Sequence, residues 1–296
     1  MKQNLNILVI FLLILLFTGC STSPISDNAV HKQPEKVIKL NPKSATAYLI
    51  RGLAFALKGQ YDKAISEFDK AIEINPKSAM AYNNRGLILS SQGEYDRAIS
   101  DYDKAIKLNP KFAKAYNNRG LTFSSQGEYD RAISDYDKAI ELNPKLAKAY
   151  NNRGIAFSSQ GEYDRAISDY DKAIKLNPKF ADIYKNRGYV FNTKGQYSRA
   201  ISDYDKAIEI NPKDSITYLN RGNVFFKQGQ CDKAISDYDK AIEINPKFTD
   251  AYNNRAISYI SKKEYDKAWD DVDKAQSLGY QIHPKLLNIL REASGK

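Results

Sequence analysis

The residues best suited to chemistry recur at a fixed interval. Arginine stands at Arg51, Arg85, Arg119, Arg153, Arg187, Arg221 and Arg255, every 34 residues. A carboxylate follows each of them 16 residues later, at Glu67, Asp101, Asp135, Asp169, Asp203, Asp237 and Asp271. A planar guanidinium meets a carboxylate through two parallel N–H···O bonds. The pattern therefore predicts a structural ladder of ion pairs; the other reading is a row of arginines gripping an anionic ligand. Catalysis has little to work with. Histidine occurs twice, at His31 and His283, and cysteine twice, at Cys20 and Cys231. No Cys–His pair is in prospect, and no glycine-rich phosphate loop occurs. The chain reads as a non-enzyme with no cofactor and no metal site, and Cys231 reads as a half-buried spacer.

The elements that must position these groups follow the same interval. Asn-Pro recurs from Asn41-Pro42 to Asn245-Pro246, seven times at 34 residues. A fixed period of this size marks stacked repeats. Numbering each repeat so that proline takes place 32 gives repeats one to seven at 45–78, 79–112, 113–146, 147–180, 181–214, 215–248 and 249–282. Tyr116, Arg119, Gly120 and Phe123 (places 4, 7, 8 and 11) share one helical stripe, and Ala132, Tyr136 and Ala139 (places 20, 24 and 27) share another. Glycine at place 15, present in six of the seven repeats, ends the first helix. An aspartate at place 18 suits the start of the second, and the residue before proline is pushed out of the helical region. Each repeat is thus a helical hairpin. Places 7 and 23 lie level across a turn at place 15, which pairs the arginines with their carboxylates.

This pattern resembles the tetratricopeptide repeat across residues 45–282. Aromatic residues at places 4, 11 and 24, glycine at 8, alanine at 20 and 27 and proline at 32 carry the resemblance. It implies an all-α fold, a right-handed α-solenoid of seven helix-turn-helix repeats. Repeat seven departs from the pattern, with Ala256 at place 8, Lys263 at 15, Val272 at 24 and Tyr280 at 32. Terminal repeats are expected to be atypical, since one face lacks a neighbour. Residues 283–296 read as a capping helix and tail, with Leu286, Leu287 and Leu290 facing inward and Trp269 packed nearby. Residues 35–44 match the end of a second helix, a partial repeat.

The resemblance also implies that the face of the first helix opposite its core, places 2, 5, 6, 9, 12 and 13, lines a concave groove for partner peptides. On that face stand Asn83, Asn84, Lys114, Asn117, Asn118, Lys148, Asn151 and Asn152. Further along come Lys185, Tyr189, Asn220, Asn223, Phe226 and Lys227. Asparagine both donates and accepts hydrogen bonds, so these rows could hold a peptide backbone; the alternative is a solvated face copied by duplication. A full clamp for a C-terminal carboxylate, known in one branch of the family, is not expected, because place 9 is Leu121 or Ile155 and place 6 is never arginine. The outer face of the second helix, places 18, 19, 22, 25 and 26, reads as a mixed-sign solvated surface.

The N-terminus differs in kind. Residues 7–17 form an unbroken apolar run, too short to span a bilayer, which fits a secretory signal peptide over 1–19. "LFTGC" at 16–20 resembles a bacterial lipoprotein signal, with Cys20 as the lipidated first residue; an ordinary secretory signal is the alternative. Residues 20–34 then form a lipidated terminus and a polar tether, with a reach of ~20 Å. The formal charge of +10 is diffuse, which favours anionic surfaces weakly and argues little for nucleic acid. These features point to a membrane-tethered, extracytoplasmic scaffold of a bacterial envelope, on the periplasmic side of the outer membrane where one exists. Other proteins or peptides are its expected partners. A secreted, untethered binding protein and a nucleic-acid binder are the remaining readings.

Overall fold

The computed structural model describes residues 41–295. The expected signal peptide, Cys20, the tether and residues 35–40 of the partial repeat lie outside the described residues. Every regular element among the described residues is an α-helix. The chain divides into two compact units, Met1–Ala156 and Phe157–Lys296.

In the N-terminal unit, α1 (Ala45–Leu57) pairs with α2 (Tyr61–Ile74), α3 (Ala79–Ser91) with α4 (Tyr95–Leu108), and α5 (Ala113–Ser125) with α6 (Tyr129–Leu142). The division falls within α7 (Ala147–Ser159). The C-terminal unit holds α8 (Tyr163–Leu176), α9 (Ala181–Thr193), α10 (Tyr197–Ile210), α11 (Ser215–Lys227), α12 (Cys231–Ile244), α13 (Thr249–Ser261), α14 (Tyr265–Ser277) and α15 (Pro284–Ser294). In the N-terminal unit α2 also packs on α3 and α4 on α5; in the C-terminal unit α8 packs on α9, α10 on α11 and α12 on α13.

Local chemistry explains the punctuation. Asn109, before Pro110, leaves the helical region at φ −139°, ψ 89°, as an X-Pro residue must. Its side-chain carbonyl accepts from the Lys111 N–H at 3.1 Å, closing the turn. Gly127 ends α5 at φ +79°, open to any residue that tolerates left-handed dihedrals. Lys263 fills the same place in repeat seven at φ +63°, a strain of ~1 kcal/mol for a residue with a Cβ.

In repeats one, two, three, five and six the core sets a glycine against an aromatic ring. A Cβ on Gly120 would stand 2.9 Å from the Tyr136 ring, closer than carbon atoms allow. Ala256 breaks the glycine rule, and Val272 replaces the opposing tyrosine; both are fully buried. The small aliphatic side chain makes the room that Ala256 needs, so the two departures are one compensated exchange. The expected cap is α15: Leu290 is buried, and Leu286 and Leu287 pack on the same cluster. His283 caps α15 by accepting the Lys285 N–H on Nδ1 at 3.2 Å. Trp269 donates Nε1–H to Ser294 Oγ at 3.1 Å.

Candidate functional site

The arginine ladder forms, and each arginine does more than the spacing foretold. Arg119 donates Nε–H and Nη2–H to Asp135 at 2.8 and 2.7 Å. Arg85–Asp101, Arg187–Asp203, Arg221–Asp237 and Arg255–Asp271 repeat this fork. The remaining nitrogen reaches back into the preceding repeat: Arg85 Nη1 to Asp69 at 2.6 Å, Arg221 Nη1 to Asp205 at 2.5 Å, and Arg119 Nη1 to Asp103. Place 25 is therefore not simply solvated outer surface, as its position on the second helix suggested. Its aspartates stay half in water yet tie neighbouring repeats. Arg51 donates Nε–H to Glu67 at 2.6 Å and Nη1–H to the Pro42 carbonyl at 2.8 Å. Arg153 holds Asp137 through Nη1 in the N-terminal unit, while Asp169 is buried on α8 in the C-terminal unit.

Hydrogen bonding to Asp135 holds the Arg119 guanidinium above its ordinary pKa against burial, and Asp103 adds to the effect. Burial pushes the Asp237 carboxyl up, with Arg221 opposing it. With Nε, Nη1 and Nη2 of Arg119 all engaged inside the fold, the arginine acts as a structural clamp.

The asparagine rows are the main correction. Asn83 and Asn84 are each only 2% exposed, and Asn117 and Asn151 are also buried. They line the seam between first helices of successive repeats instead of an open surface. Their amides bond one another in a single relay. Asn151 donates to Asn152 (3.3 Å), Asn152 to Asn117 (3.1 Å), Asn117 to Asn118 (3.3 Å), Asn118 to Asn83 (3.0 Å) and Asn83 to Asn84 (3.2 Å). Within a repeat the bond runs from place 5 to place 6; between repeats it runs from place 6 to the preceding place 5. The relay stops where repeat one offers Leu49 at place 5. Asn84 Nδ2 is then buried with no partner. The wheel placed these residues away from their own second helix, and they do point away from it; what it lacked was the neighbouring first helix.

The C-terminal unit handles the same seam differently. Lys185, at place 5, bridges Asp182 and Asp214 at 2.8 and 2.9 Å. Burial alone would raise the Asp214 carboxyl, yet Thr217, Lys185 and the Ile216 N–H hold it below its ordinary value. Lys227 donates to Asn192 at 3.1 Å. Asn223 accepts from both the Tyr238 hydroxyl at 2.8 Å and Asn254 Nδ2 at 2.9 Å. Lys185 and Asn223 are thus engaged internally, Asn220 and Phe226 are half-buried, and Tyr189 stands out at 55% exposure.

Asn223 also explains an oddity elsewhere. The hydroxyls of Tyr102, Tyr136 and Tyr204 are buried without a hydrogen-bond partner; Thr122 and Ser124 approach the first two without closing a bond. In those repeats place 9 is Leu87, Leu121 or Tyr189, none of which offers a carbonyl as Asn223 does. Burial raises the pKa of all three hydroxyls, so they stay protonated.

On the face of the first helices Leu121 of α5 is 43% and Ile155 of α7 37% exposed, Leu87 of α3 is half-buried, and at place 2 Lys148 is exposed and Lys114 half-buried. On the opposite edge Arg131 stacks on Phe123 at 3.8 Å, a cation–π contact that the place 19 and place 11 residues could have signalled. Among the described residues no group of side chains is arranged to hold a metal ion, and no helix is long and apolar enough to cross a membrane.

Tetratricopeptide repeat models match residues 79–112, 113–146, 147–180 and 169–202, and a TPR repeat model matches 52–93, 188–229 and 222–263. The matches together run unbroken from 52 to 263. The chain belongs to the tetratricopeptide repeat family. No curated protein matches it. Among solved structures, the APC/C hetero-tetramer Cut9–Hcn1 is similar over 78% of this chain, at 19% identity and a TM-score of 0.71; the match spans 46% of that longer chain. A tetratricopeptide repeat protein from Parabacteroides merdae is similar over 84% of this chain and 98% of its own, at 23% identity and a TM-score of 0.61. MamA protein is 30% identical over 58% of this chain and 94% of its own, with a TM-score of 0.50. These likenesses bear on the fold.

Proposed function

We propose that this tetratricopeptide repeat protein is an interaction scaffold that docks partner peptides on the exposed face of its first helices, held at a bacterial envelope membrane by lipid on Cys20. The family fold is that of a protein-interaction scaffold, and its members are generally not enzymes. The observation that carries the docking reading is the state of α5 and α7. Their polar side chains at places 5, 6 and 7 are consumed inside the stack, while Leu121 and Ile155 stay in water. Leaving such side chains exposed in register on successive repeats forgoes ~1 kcal/mol each of apolar burial, which a docked peptide would recover. The apolar run at 7–17 and the LFTGC stretch motivate the tether.

Two experiments test the two halves. A photo-crosslinker at position 121 should trap a partner in intact cells, whereas one at position 104 on the second helix should not; equal trapping would reject the docking face. Cys20→Ala should abolish incorporation of labelled fatty acid and release the protein from membranes. Unchanged fractionation and labelling would reject the tether and leave the docking face standing.

A further inference from the structure

Repeat seven hands the chain on differently from the repeats before it. Elsewhere four residues join a second helix to the next first helix, as 109–112 join α4 to α5, whereas six, 278–283, join α14 to α15. Gly279 turns the chain at φ +87°, and residues 280–283 form no regular element before Pro284 starts α15. An open groove of about 1060 Å³ results between α13, this connection and α15. Ile257 of α13 and Leu286 and Ile289 of α15 give it an apolar lining, and Ile289 is 43% exposed.

Polar groups in this groove lack partners. In the relay, the asparagine at place 5 accepts from place 6 of the following repeat, as Asn117 does from Asn152. Asn253 holds place 5 of repeat seven, and no eighth first helix follows it. It donates to Asn254 at 3.1 Å, and its Oδ1 has no donor among the described residues. The N–H and C=O groups of Gln281 and Ile282 likewise make no backbone–backbone hydrogen bond among the described residues. Backbone groups beside an apolar lining suit an extended chain that can pair with them; a helix satisfies its own backbone and would leave them unpaired. The charge is one-sided. His283 and Lys285 stand at the N-terminus of α15, and no aspartate or glutamate lines the groove. Asp250, one turn before Asn253 on α13, is outside the lining. Lysine at a helix N-terminus favours a carboxylate there.

We infer that this groove binds an extended apolar segment of a partner protein. The segment's backbone pairs with residues 281–282, its apolar side chains rest on Ile257 and Ile289, and an acidic side chain meets Lys285. The site is separate from the docking face on α5 and α7 and does not depend on it. Its charge sets specificity more than raw affinity.

The test uses the mature chain and a random peptide library displayed on phage, with every peptide fused through its C-terminus so that no terminal carboxylate is free. Phage retained by the Ile289→Asp variant are removed first, which leaves peptides that need the groove. Ile289 and Lys285 are exposed, so neither substitution threatens the fold. The recovered peptides should alternate apolar residues and carry Asp or Glu near one end. Made as amidated, fluorescein-labelled peptides, they should bind Lys285→Glu at least ~10-fold more weakly, a margin of about 1.4 kcal/mol, and Leu121→Asp as well as the unaltered chain. Exchanging the peptide's acidic residue for lysine should restore binding to Lys285→Glu. Methylating the peptide nitrogens one at a time should weaken binding at alternate residues, since alternate N–H groups of a strand face its neighbour. Peptides without an acidic residue, or indifferent to Lys285→Glu, would overturn the assignment, as would a methylation pattern that does not alternate. Recovery of no peptide dependent on Ile289 would reject the groove; loss of the remaining binders in Leu121→Asp would then leave the face on α5 and α7 standing.

Discussion

The two units solve one problem in two ways. Both must satisfy polar groups at the seam between successive first helices. The N-terminal unit, built of near-copies, does it with one uniform device: place 6 donates to the preceding place 5, repeat after repeat, until Leu49 interrupts it and leaves Asn84 Nδ2 orphaned. The C-terminal unit varies its residues and re-routes the bonds. Lys185 turns place 5 into a charge bridge, and Leu219, by removing the place 5 acceptor, goes with Asn254 reaching Asn223 instead. That detour also satisfies Tyr238, which the uniform design does not achieve for Tyr102 and Tyr136. Copying a hairpin copies its defects along with its strengths; divergence lets a single substitution repair one of them. The arginine clamp is common to both units, so it is the part that tolerates least change.

Variants can break this comparison in order of expected effect. The largest loss should come from Arg119→Ala, which strands the buried Asp135 and costs about 3–5 kcal/mol. Arg221→Ala should cost the same in the C-terminal unit, while Asp103→Ala, removing only the half-exposed partner, should cost under ~1 kcal/mol. Urea melts of the three proteins decide it. Asn118→Leu should follow, at about 2–3 kcal/mol, since it leaves Asn117 Nδ2 and Asn83 Oδ1 without partners. Asn220→Leu, at the same place in repeat six but with no side-chain hydrogen bond among the described residues, should change stability by less than ~0.5 kcal/mol.

Lys185→Ala should cost more near neutral pH than in acid. The depressed Asp214 pKa contributes stability above its unfolded value of about 4, and that contribution is lost as pH falls through the folded value. Thermal melts at pH ~7 and pH ~3 should therefore differ in the size of the Lys185→Ala effect, larger at the higher pH. The smallest effect, and the only gain, is expected from Leu121→Asn. It offers the Tyr136 hydroxyl the carbonyl that Asn223 gives Tyr238, for a gain of about 0.5–1 kcal/mol. A loss instead would mean that exposed Leu121 contributes more to packing than its position suggests.

Much of the fold was legible because the chain states its period outright. Pro110, Gly127 and the stripe through Tyr116 and Phe123 locate both helices of repeat three, and the 16-residue step from Arg119 to Asp135 foretold the clamp. The second carboxylate was also within reach. Asp103 lies 16 residues before Arg119, so each arginine from Arg85 to Arg255 sits midway between two aspartates, a symmetry visible in the sequence although place 25 faces outward on its own hairpin. The burial of Asn83 and Asn117 was not legible from one repeat. A helical wheel reports which side faces the partner helix of the same hairpin, whereas these residues meet the hairpin next door. The same blind spot hid the orphaned Tyr136 hydroxyl, whose fate depends on whether place 9 is leucine or asparagine.

The central claim is that the asparagines hold successive repeats together through one relay of side-chain bonds. Hydrogen exchange of the side-chain amides, followed by NMR, tests it most directly. The Nδ2 protons of Asn117 and Asn118 should exchange far more slowly than those of Asn220, in the absence of any partner. Fast exchange at all three would contradict the relay and return the asparagine rows to the open surface.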